Sequence, residues 1–414
     1  MRILKKREIR KAFSVIACLI VSPLLAQAAP PSPQEVLEQK RPDSWPESVD
    51  VEMDESILSD DARKKAFVES LSLAPSLMLD LSVEDLFGKE GIYKDAKVGE
   101  EIPEVLVMAS YWPSPTQRGF QIRCGIRPQG RGSLAQSPKR NFRLRFAKEF
   151  GAGELAYPLF SEKVEKFENL LVRSPTHDSW TVKWTHLRKN PRYVNDRWAL
   201  ETARELGHIS PRQRWVHVYL NQIYWGLYAL SERPDEHFAA THLGRKAEDL
   251  DFFNAGELRE GSDKQRKMAE DFLAEEFENT EESFKKLEGF LNIGSLIDHL
   301  TCQIYQGKSD WPKKNYFLIG SRKGTARFAF GSWDSEVGFY EEKLRLGADA
   351  ENALYYAPLS TVRFLSDRSG PGFWYRHLRA SEEFRLMFAD RVHFLMGKMG
   401  HFIQKRPRRV IELC

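Results

Sequence analysis

Three side chains around residue 320 follow the order that a phosphoryl-transfer site uses. Asp310 is followed five positions later by Asn315, and Asp334 comes after a strand-like run. In protein kinases an Asp accepts the proton of the attacking hydroxyl, a downstream Asn binds a metal ion, and a later Asp binds the Mg²⁺ at the nucleotide phosphates. The order therefore predicts Asp310 as a base and the other two residues as metal ligands. Asp and Asn are also common in turns and helix caps, so the pattern needs support from the rest of the chain.

The elements that would position these residues fall into a β-rich part and a helix-rich part. Apolar and polar residues alternate as in strands over residues 77–81, 104–108, 120–126 and 142–146. Helical periodicity dominates residues 193–206, 263–291 and 295–305, while 215–230 and 315–332 have the pattern of hairpins. The pattern predicts an α+β fold with a β-rich N-lobe over residues 76–160 and a mixed, helix-rich C-lobe over 161–400.

The N-terminal segment has the pattern of a secretory signal. Six basic residues lie among the first eleven positions, an apolar run covers 12–26, and Ala26-Gln27-Ala28 forms a small-residue cleavage site. We expect cleavage after Ala28 and a secreted or periplasmic protein. The apolar run is too short for a good membrane span, and Pro23 interrupts it. A lipoprotein signal with a lipid anchor at Cys18 is the less favoured alternative, because the apolar core before that cysteine is too short.

The segments that flank the predicted lobes have their own composition. Residues 29–50 are rich in Pro, Glu and Ser, which predicts a flexible lead, and the charge order over 50–71 favours a helical extension that completes the segment 29–75. Residues 401–414 are expected to form a tail. The sequence stops at Cys414 without a polar or capping segment, which suggests that it is truncated.

Charge and cysteine usage exclude several function classes. Subtracting the six basic and one acidic residues of 1–28 from 62 Lys+Arg and 59 Asp+Glu leaves 56 against 58, which argues against a nucleic-acid partner held by a broad basic field. Cys124, Cys302 and Cys414 are widely spaced and form no C-x-x-C pair, so they indicate neither a zinc site nor a disulfide framework. A single bridge between Cys124 and Cys302 stays open, with two buried thiols as the favoured alternative.

Several sequence blocks resemble, in order, the signature segments of the spore coat protein H (CotH) kinase family. Residues 125–133 and 137–146 are similar to the family's G-I-R-x-x-G and P-K-x-S-F-R-L-x-F segments. The other similar blocks are 157–160, 171–173, 216–221, 224–228, 231–234, 310–315 and 333–334. The common order of the blocks is far more specific than any one of them.

The resemblance implies an atypical protein-kinase-like bilobal fold that uses ATP with Mg²⁺ or Mn²⁺ to phosphorylate Ser or Thr of secreted or surface proteins. It implies a site made of catalytic Asp310 and Lys313, metal-binding Asn315 and Asp334, and nucleotide-binding Lys139, Arg127 and Glu232. In this set Lys313 would neutralise charge on the moving phosphoryl group, and Glu232 would orient Lys139.

The chain departs from the family and kinase patterns at three places. Lys308 replaces a neutral residue close to Asp310, the Gly130-Arg131-Gly132 loop is shorter than a G-x-G-x-x-G loop, and Glu336, an expected extra ligand, follows Asp334 closely. These departures keep a non-catalytic pseudokinase-like interaction module open as an alternative. A carbohydrate-active enzyme with Asp310 and Asp334 as its carboxylate pair is a third hypothesis. Some of these residues also have a purely structural interpretation. Arg173 could be an ion-paired structural residue, and the aromatic residues of 219–228 are expected to pack in the core.

Overall fold

The computed structural model describes residues 29–95, 101–130, 133–161, 164–189, 191–308, 311–322, 327–339 and 370–396. The predicted signal segment with Cys18, the predicted base Asp310, loop residue Arg131 and the tail 401–414 lie outside the described residues. The described part is an α+β structure with a closed seven-stranded barrel and a helix-rich part that carries a four-stranded sheet.

The strands form three sheets. They are β1 (Ser76–Asp80), β2 (Val105–Trp112), β3 (Phe120–Gln129), β4 (Asn141–Arg145), β5 (Leu155–Ser161), β6 (Val164–Phe167), β7 (Asn169–Arg173), β8 (Gln213–Leu220), β9 (Ile223–Glu232), β10 (Leu250–Asn254), β11 (Glu257–Glu260), β12 (Tyr316–Ser321) and β13 (Ala329–Ser332). The barrel has the order β1-β2-β3-β4-β7-β9-β8, the second sheet has the order β11-β10-β12-β13, and β5 pairs with β6. Parallel pairing of β1 with β8 closes the barrel.

The barrel forms because its strands alternate between apolar and polar residues. Ile126 on β3, Leu144 on β4 and Val172 on β7 are buried in one core, while Arg127 and Arg143 between them point to the other face. The predicted aromatic core is confirmed at Trp225 and Tyr228, both buried in this interior. The closed order leaves these seven strands without a free sheet edge.

The helices lie before the barrel, between its strands and around the second sheet. They are α1 (Pro33–Leu37), α2 (Glu55–Leu58), α3 (Asp61–Ser70), α4 (Val83–Phe87), α5 (Ser133–Gln136), α6 (Thr185–Arg188), α7 (Asn195–Glu205), α8 (Glu236–Leu243), α9 (Lys264–Asp271), α10 (Glu281–Glu288), α11 (Ile293–Tyr305), α12 (Pro371–Leu378) and α13 (Glu382–Met396). Leu296 and Leu300 of α11 share a second core with Leu318 of β12 and Phe330 of β13. This core fixes the hairpin β12–β13 against α11.

The β-rich part does not end near residue 160 as the local pattern predicted. Strands β7, β8 and β9 complete the barrel up to Glu232, and α7 lies between β7 and β8 in the chain. The hairpin β8–β9 is present, but its pairing with the distant β1 and β7 places it in the barrel. Long-range pairing of this kind leaves no mark in the local sequence.

Residues 29–50 pack on the barrel, which corrects the prediction of a flexible lead. Trp45 is buried in the barrel core, and Val36 is buried against Met78 and Tyr219. The backbone N–H of Tyr224 also donates to Oε1 of Gln39 at 3.0 Å. The segment contains few apolar residues, but burial of those few offsets its polar composition.

Cys124 and Cys302 are both free and buried, as the favoured alternative predicted. They lie in different cores, one inside the barrel and one beside α7 and α11. Among the helices in the described ranges, none has the length and apolarity needed to cross a membrane.

Candidate functional site

Asn315 and Asp334 lie at the same end of the hairpin β12–β13. Tyr316 pairs with Ser332, so the residue before β12 and the residues after β13 emerge side by side. Asn315 and Asp334 both have left-handed backbone conformations, with φ of 67° and 52°. Asn tolerates this region well and Asp does so to a lesser extent, because their short side chains can bond the local backbone. The two predicted metal ligands are therefore neighbours in space.

Lys308 bonds both the segment before β12 and the segment after β13. Its Nζ donates to the carbonyl of Trp333 at 2.6 Å, to the carbonyl of Asn315 at 3.2 Å and to Oγ of Ser335 at 3.1 Å. The side chain is almost completely buried, so a missing acceptor would be costly. The lysine that departs from the family pattern thus holds the segments of both predicted ligands.

Arg173 is the central cation of the site. It ends β7, and its side chain contacts three carboxylates from two other segments. Nη2 lies 2.8 Å from Oδ1 of Asp334 and 2.8 Å from Oε1 of Glu336, while Nη1 lies 3.1 Å from Oδ2 of Asp196. The guanidinium also lies over the ring of Trp333, 4.5 Å from its centroid. A barrel strand, helix α7 and the hairpin end therefore meet at one buried side chain.

The charges in this cluster stabilise one another. Burial opposes the charge on Arg173, but Asp196, Asp334 and Glu336 outweigh that effect and hold its pKa above the ordinary value. Burial likewise opposes ionisation of Asp334, yet the positive charges of Arg173 and Lys308 keep its pKa below the ordinary value. Asp334 is therefore an ionised carboxylate at neutral pH.

The three carboxylates differ in how open they are. The side chain of Asp334 is 38% exposed, against 11% for Asp196 and 4% for Glu336. Asp196 also accepts from the backbone N–H of Ser335 at 2.7 Å and from Nε2 of Gln213 at 2.6 Å. Oε2 of Glu336 accepts from the backbone N–H of His177 at 3.0 Å. Asp334 is thus the acid that can present oxygen to a ligand, whereas the other two are fixed by the protein.

The segment next to Asp310 is fixed from α11. The indole N–H of Trp311 donates to Nε2 of His299 at 3.0 Å, and Nδ1 of His299 lies 3.4 Å from Oγ of Ser332. Burial and the nearby charge of Lys308 lower the pKa of His299 to about 3, so the ring is neutral and its Nε2 is free to accept. Trp311, one residue after the predicted base, is held in the second core.

The predicted nucleotide-binding residues do not lie together. Nζ of Lys139 lies over the ring of Trp225, 3.9 Å from its centroid, and Arg127 faces Arg143 across β3 and β4. Glu232 accepts from the backbone N–H of Arg212 at 2.7 Å, and its Oε1 lies 2.9 Å from Nε2 of His242. The predicted pairing of Glu232 with Lys139 is wrong, because Trp225 and Glu232 are seven residues apart on β9, roughly 23 Å along an extended strand.

Lys313 and Glu336, the two other residues expected at the site, differ in how the structure engages them. Lys313 is an exposed residue of the turn before Asn315. Glu336, expected as an extra metal ligand, has both oxygens engaged by Arg173 and His177. Within the described ranges no three His, Cys, Asp or Glu side chains are arranged as a metal site. The lowered pKa of Asp334 also argues against its use as the general acid of a glycosidase, which needs a raised pKa.

The expectation of Arg173 as an ion-paired residue is confirmed by its contacts with Asp196, Asp334 and Glu336. The sequence did not show which carboxylates pair with it, or that Lys308 lies close to them. Asp196 is the second residue of α7 and resembles an ordinary acidic residue of a first helical turn. Their convergence depends on barrel closure, so it could not be read from spacing.

The fold and the cluster define an α+β protein with a buried cation among carboxylates, beside an Asn-Asp pair of hard oxygen donors. Comparison with known families gives the particular assignment. The family model described as CotH kinase protein matches residues 126–399, which is more than half of the chain. The chain therefore belongs to the CotH kinase family, and this membership indicates a kinase-like function. No curated protein matches the chain.

Proposed function

We propose that the protein is an exported atypical protein kinase that transfers the γ-phosphoryl group of ATP to Ser or Thr of secreted or surface proteins. Asp310 would accept the proton of the attacking hydroxyl, while Asn315 and Asp334 would hold a divalent metal ion. The barrel and the helix-rich part would serve as the two lobes of a kinase-like fold. Family membership supports the reaction class.

The observation that carries the proposal is the contact set of Arg173. In kinases a strand cation in the N-lobe contacts the phosphates, pairs with an acid on a helix and lies close to the metal-binding Asp. Arg173 on β7 pairs with Asp196 of helix α7 and contacts Asp334. Arg173 therefore fits the role of the phosphate-contacting cation better than Lys139, whose ammonium lies over Trp225. The guanidinium of Arg173 would place positive charge next to the phosphates while its Nη atoms keep Asp196, Asp334 and Glu336 in position.

The donor set suits Mg²⁺ or Mn²⁺. Carboxylate and amide oxygens are the hard ligands these ions prefer, and Asp334 is both ionised and partly open to solvent. A bound metal ion would supply charge neutralisation at the β- and γ-phosphates. Lys308 keeps the Asn315 and Trp333 carbonyls in place, and its charge favours the ionised form of Asp334. The chain's own residues thus hold the ligands in position and balance their charge.

The site of action follows from the N-terminal segment. The basic start, the apolar run and the Ala26-Gln27-Ala28 site support export, with substrates on secreted or surface proteins. Lys313, exposed beside Asn315, would contribute positive charge where the phosphoryl group moves.

The test is transfer of labelled γ-phosphate by the chain from residue 29 onward, with Mg²⁺ or Mn²⁺, to itself and to a generic acceptor protein. Asp310→Ala and Asp334→Ala are measured beside it, with thermal unfolding as a check that each variant is folded. We expect metal-dependent transfer that both substitutions abolish. A folded wild-type chain that neither binds nucleotide nor transfers phosphate with either metal would overturn the proposal and favour the pseudokinase-like interaction module.

A further inference from the structure

A polar cavity of about 550 Å³ lies between α7 and the start of β8. Four arginines line it, namely Arg197, Arg204, Arg212 and Arg214, with Glu201 as the one acidic residue among its lining side chains. All of its lining residues belong to the described part of the chain. The cavity therefore concentrates positive charge in a protein whose overall charge is close to balanced.

The arginines converge from two elements. Arg197, Glu201 and Arg204 recur at helical spacing, so they share one face of α7. Arg212 and Arg214 come from the segment that begins β8. Arginine side chains of the helix and of the strand segment can therefore contact one ligand from two sides.

The arginines also contact protein groups, and Arg204 and Arg214 keep N–H donors for a ligand. Arg197 binds Glu201 at 2.7 Å, Arg212 lies 3.6 Å from Glu232, and Arg214 donates to the hydroxyl of Tyr111 at 2.5 Å. Nη1 of Arg212 also lies 3.1 Å from Nε2 of His242, and Nη1 of Arg204 donates to the carbonyl of Pro211 at 3.4 Å. A guanidinium has five N–H donors and no acceptor, so these contacts do not use every donor of Arg204 and Arg214. Burial, Arg212 and Arg197 lower the pKa of Arg204, Glu201 and Glu232 raise it, and the net change is a lowered pKa. The guanidinium groups therefore repel one another in a partly buried cavity, and a bound anion would reduce this repulsion.

We propose that this cavity, the arginine cleft, binds a phosphorylated Ser or Thr side chain of a peptide. A phosphate dianion matches the excess of arginine over Glu201 and accepts paired N–H bonds from guanidinium groups. The volume exceeds that of a phosphate group, and Leu73, Pro75 and Trp215 supply an apolar wall for neighbouring peptide residues.

Other anionic partners fit the cleft less well. A nucleic acid needs a basic surface that extends along its backbone, whereas these arginines are confined to one concavity. A membrane surface would meet protruding basic residues rather than recessed ones. If the proposed kinase function holds, its own products would be peptides of this chemistry, but the binding itself requires no turnover.

The test is a fluorescence anisotropy titration of the chain from residue 29 onward. The probes are a short labelled peptide with one central phosphoserine and the same peptide with serine. We expect binding of the phosphorylated probe only, and at least about tenfold weaker binding in R204Q/R214Q, since each substitution removes a charged donor. R204K/R214K should keep more of the affinity, and Glu201→Gln should increase it because a repelling carboxylate is lost.

Two controls separate the cleft from other effects. Arg259→Gln removes one exposed arginine on β11, outside the cleft, and should leave affinity unchanged. Asp390→Asn removes one exposed acid on α13, outside the cleft, and should also leave affinity unchanged. Equal binding of both peptides, or phosphopeptide binding that persists in folded R204Q/R214Q, would overturn the inference. Arginine-dependent binding of single-stranded DNA or anionic vesicles without phosphopeptide binding would overturn it as well.

Discussion

The guanidinium of Arg173 and the carboxylate of Asp334 contact each other at 2.8 Å although they are 161 residues apart in the chain. The contact connects the last residue of barrel strand β7 to the end of hairpin β12–β13. It also joins a cation that suits phosphate binding to an acid that suits metal binding. The proposed function depends on this juxtaposition.

Arg173→Gln should destabilise the fold strongly. The substitution leaves Asp196 and Glu336 buried without their cation, and loss of one partner of a buried ion pair costs about 3–5 kcal/mol. Urea unfolding gives the free energy of unfolding, with Arg259→Gln on an exposed strand as the matched control. Arg173→Lys keeps the charge and should lose less. Equal unfolding free energies for wild type and Arg173→Gln would show that the cluster does not stabilise the fold.

Lys308→Met should shift metal-dependent nucleotide binding to higher pH. The charge of Lys308 lowers the pKa of Asp334, so its removal raises that pKa and protonates the carboxylate at a higher pH. The variant should also unfold more easily, since two carbonyls and a hydroxyl lose their donor. The measurement is metal-dependent ATP affinity as a function of pH. An unshifted profile in a folded variant would contradict the assigned electrostatic role.

His299 should make the protein less stable in acid. Its pKa falls from 6.5 to about 3 on folding, so between these values the unfolded chain binds more protons than the native one. The resulting loss of stability, up to about 1.4 kcal/mol per pH unit, grows as pH falls from 6.5 towards 3. His299→Gln should flatten the dependence of unfolding free energy on pH over this window. His393→Gln on α13, whose side chain is exposed, is the control, and an equally steep slope in His299→Gln would refute the prediction.

Lys139 and Glu232 should behave as independent residues. Glu232 contacts Arg212 and His242, and Lys139 lies over Trp225. A double-mutant cycle of Lys139→Met and Glu232→Gln should give additive changes in unfolding free energy, within about 0.5 kcal/mol. The cycle of Glu232→Gln with His242→Gln should show coupling instead. Strong coupling between residues 139 and 232 would restore the pairing that the kinase analogy suggested.

Local pattern was sufficient for much of the secondary structure. The alternation over 120–126 and 142–146 corresponds to β3 and β4, and the periodicity over 193–206 corresponds to α7. The same information could not show that β8 pairs in parallel with β1, because this pairing joins residues distant in sequence. The barrel and its true extent therefore came only from the structure.

The sequence could predict which site residues meet only where those residues lie close together in the chain. Asn315 and Asp334 flank one hairpin, so their closeness follows from the pairing of Tyr316 with Ser332. Arg173 and Asp196 reach the same place through barrel strand β7 and helix α7, and neither residue is unusual in its own segment. Lys308 departs from the family pattern, but the sequence does not show that it donates to three acceptors, because those acceptors lie up to 27 residues away in the chain.

The most direct test of the central claim is a calorimetric titration of ATP into the chain from residue 29 onward, with and without Mn²⁺. Wild type is compared with Asp334→Asn and with the exposed control Asp390→Asn, all three shown to be folded. We predict metal-dependent ATP binding that Asp334→Asn weakens at least about tenfold, because a charged metal ligand is lost. Binding by Asp390→Asn, which changes an exposed residue of α13, should match that of wild type. Metal-dependent binding of equal strength in Asp334→Asn and wild type would contradict the assignment of this cluster as the nucleotide site.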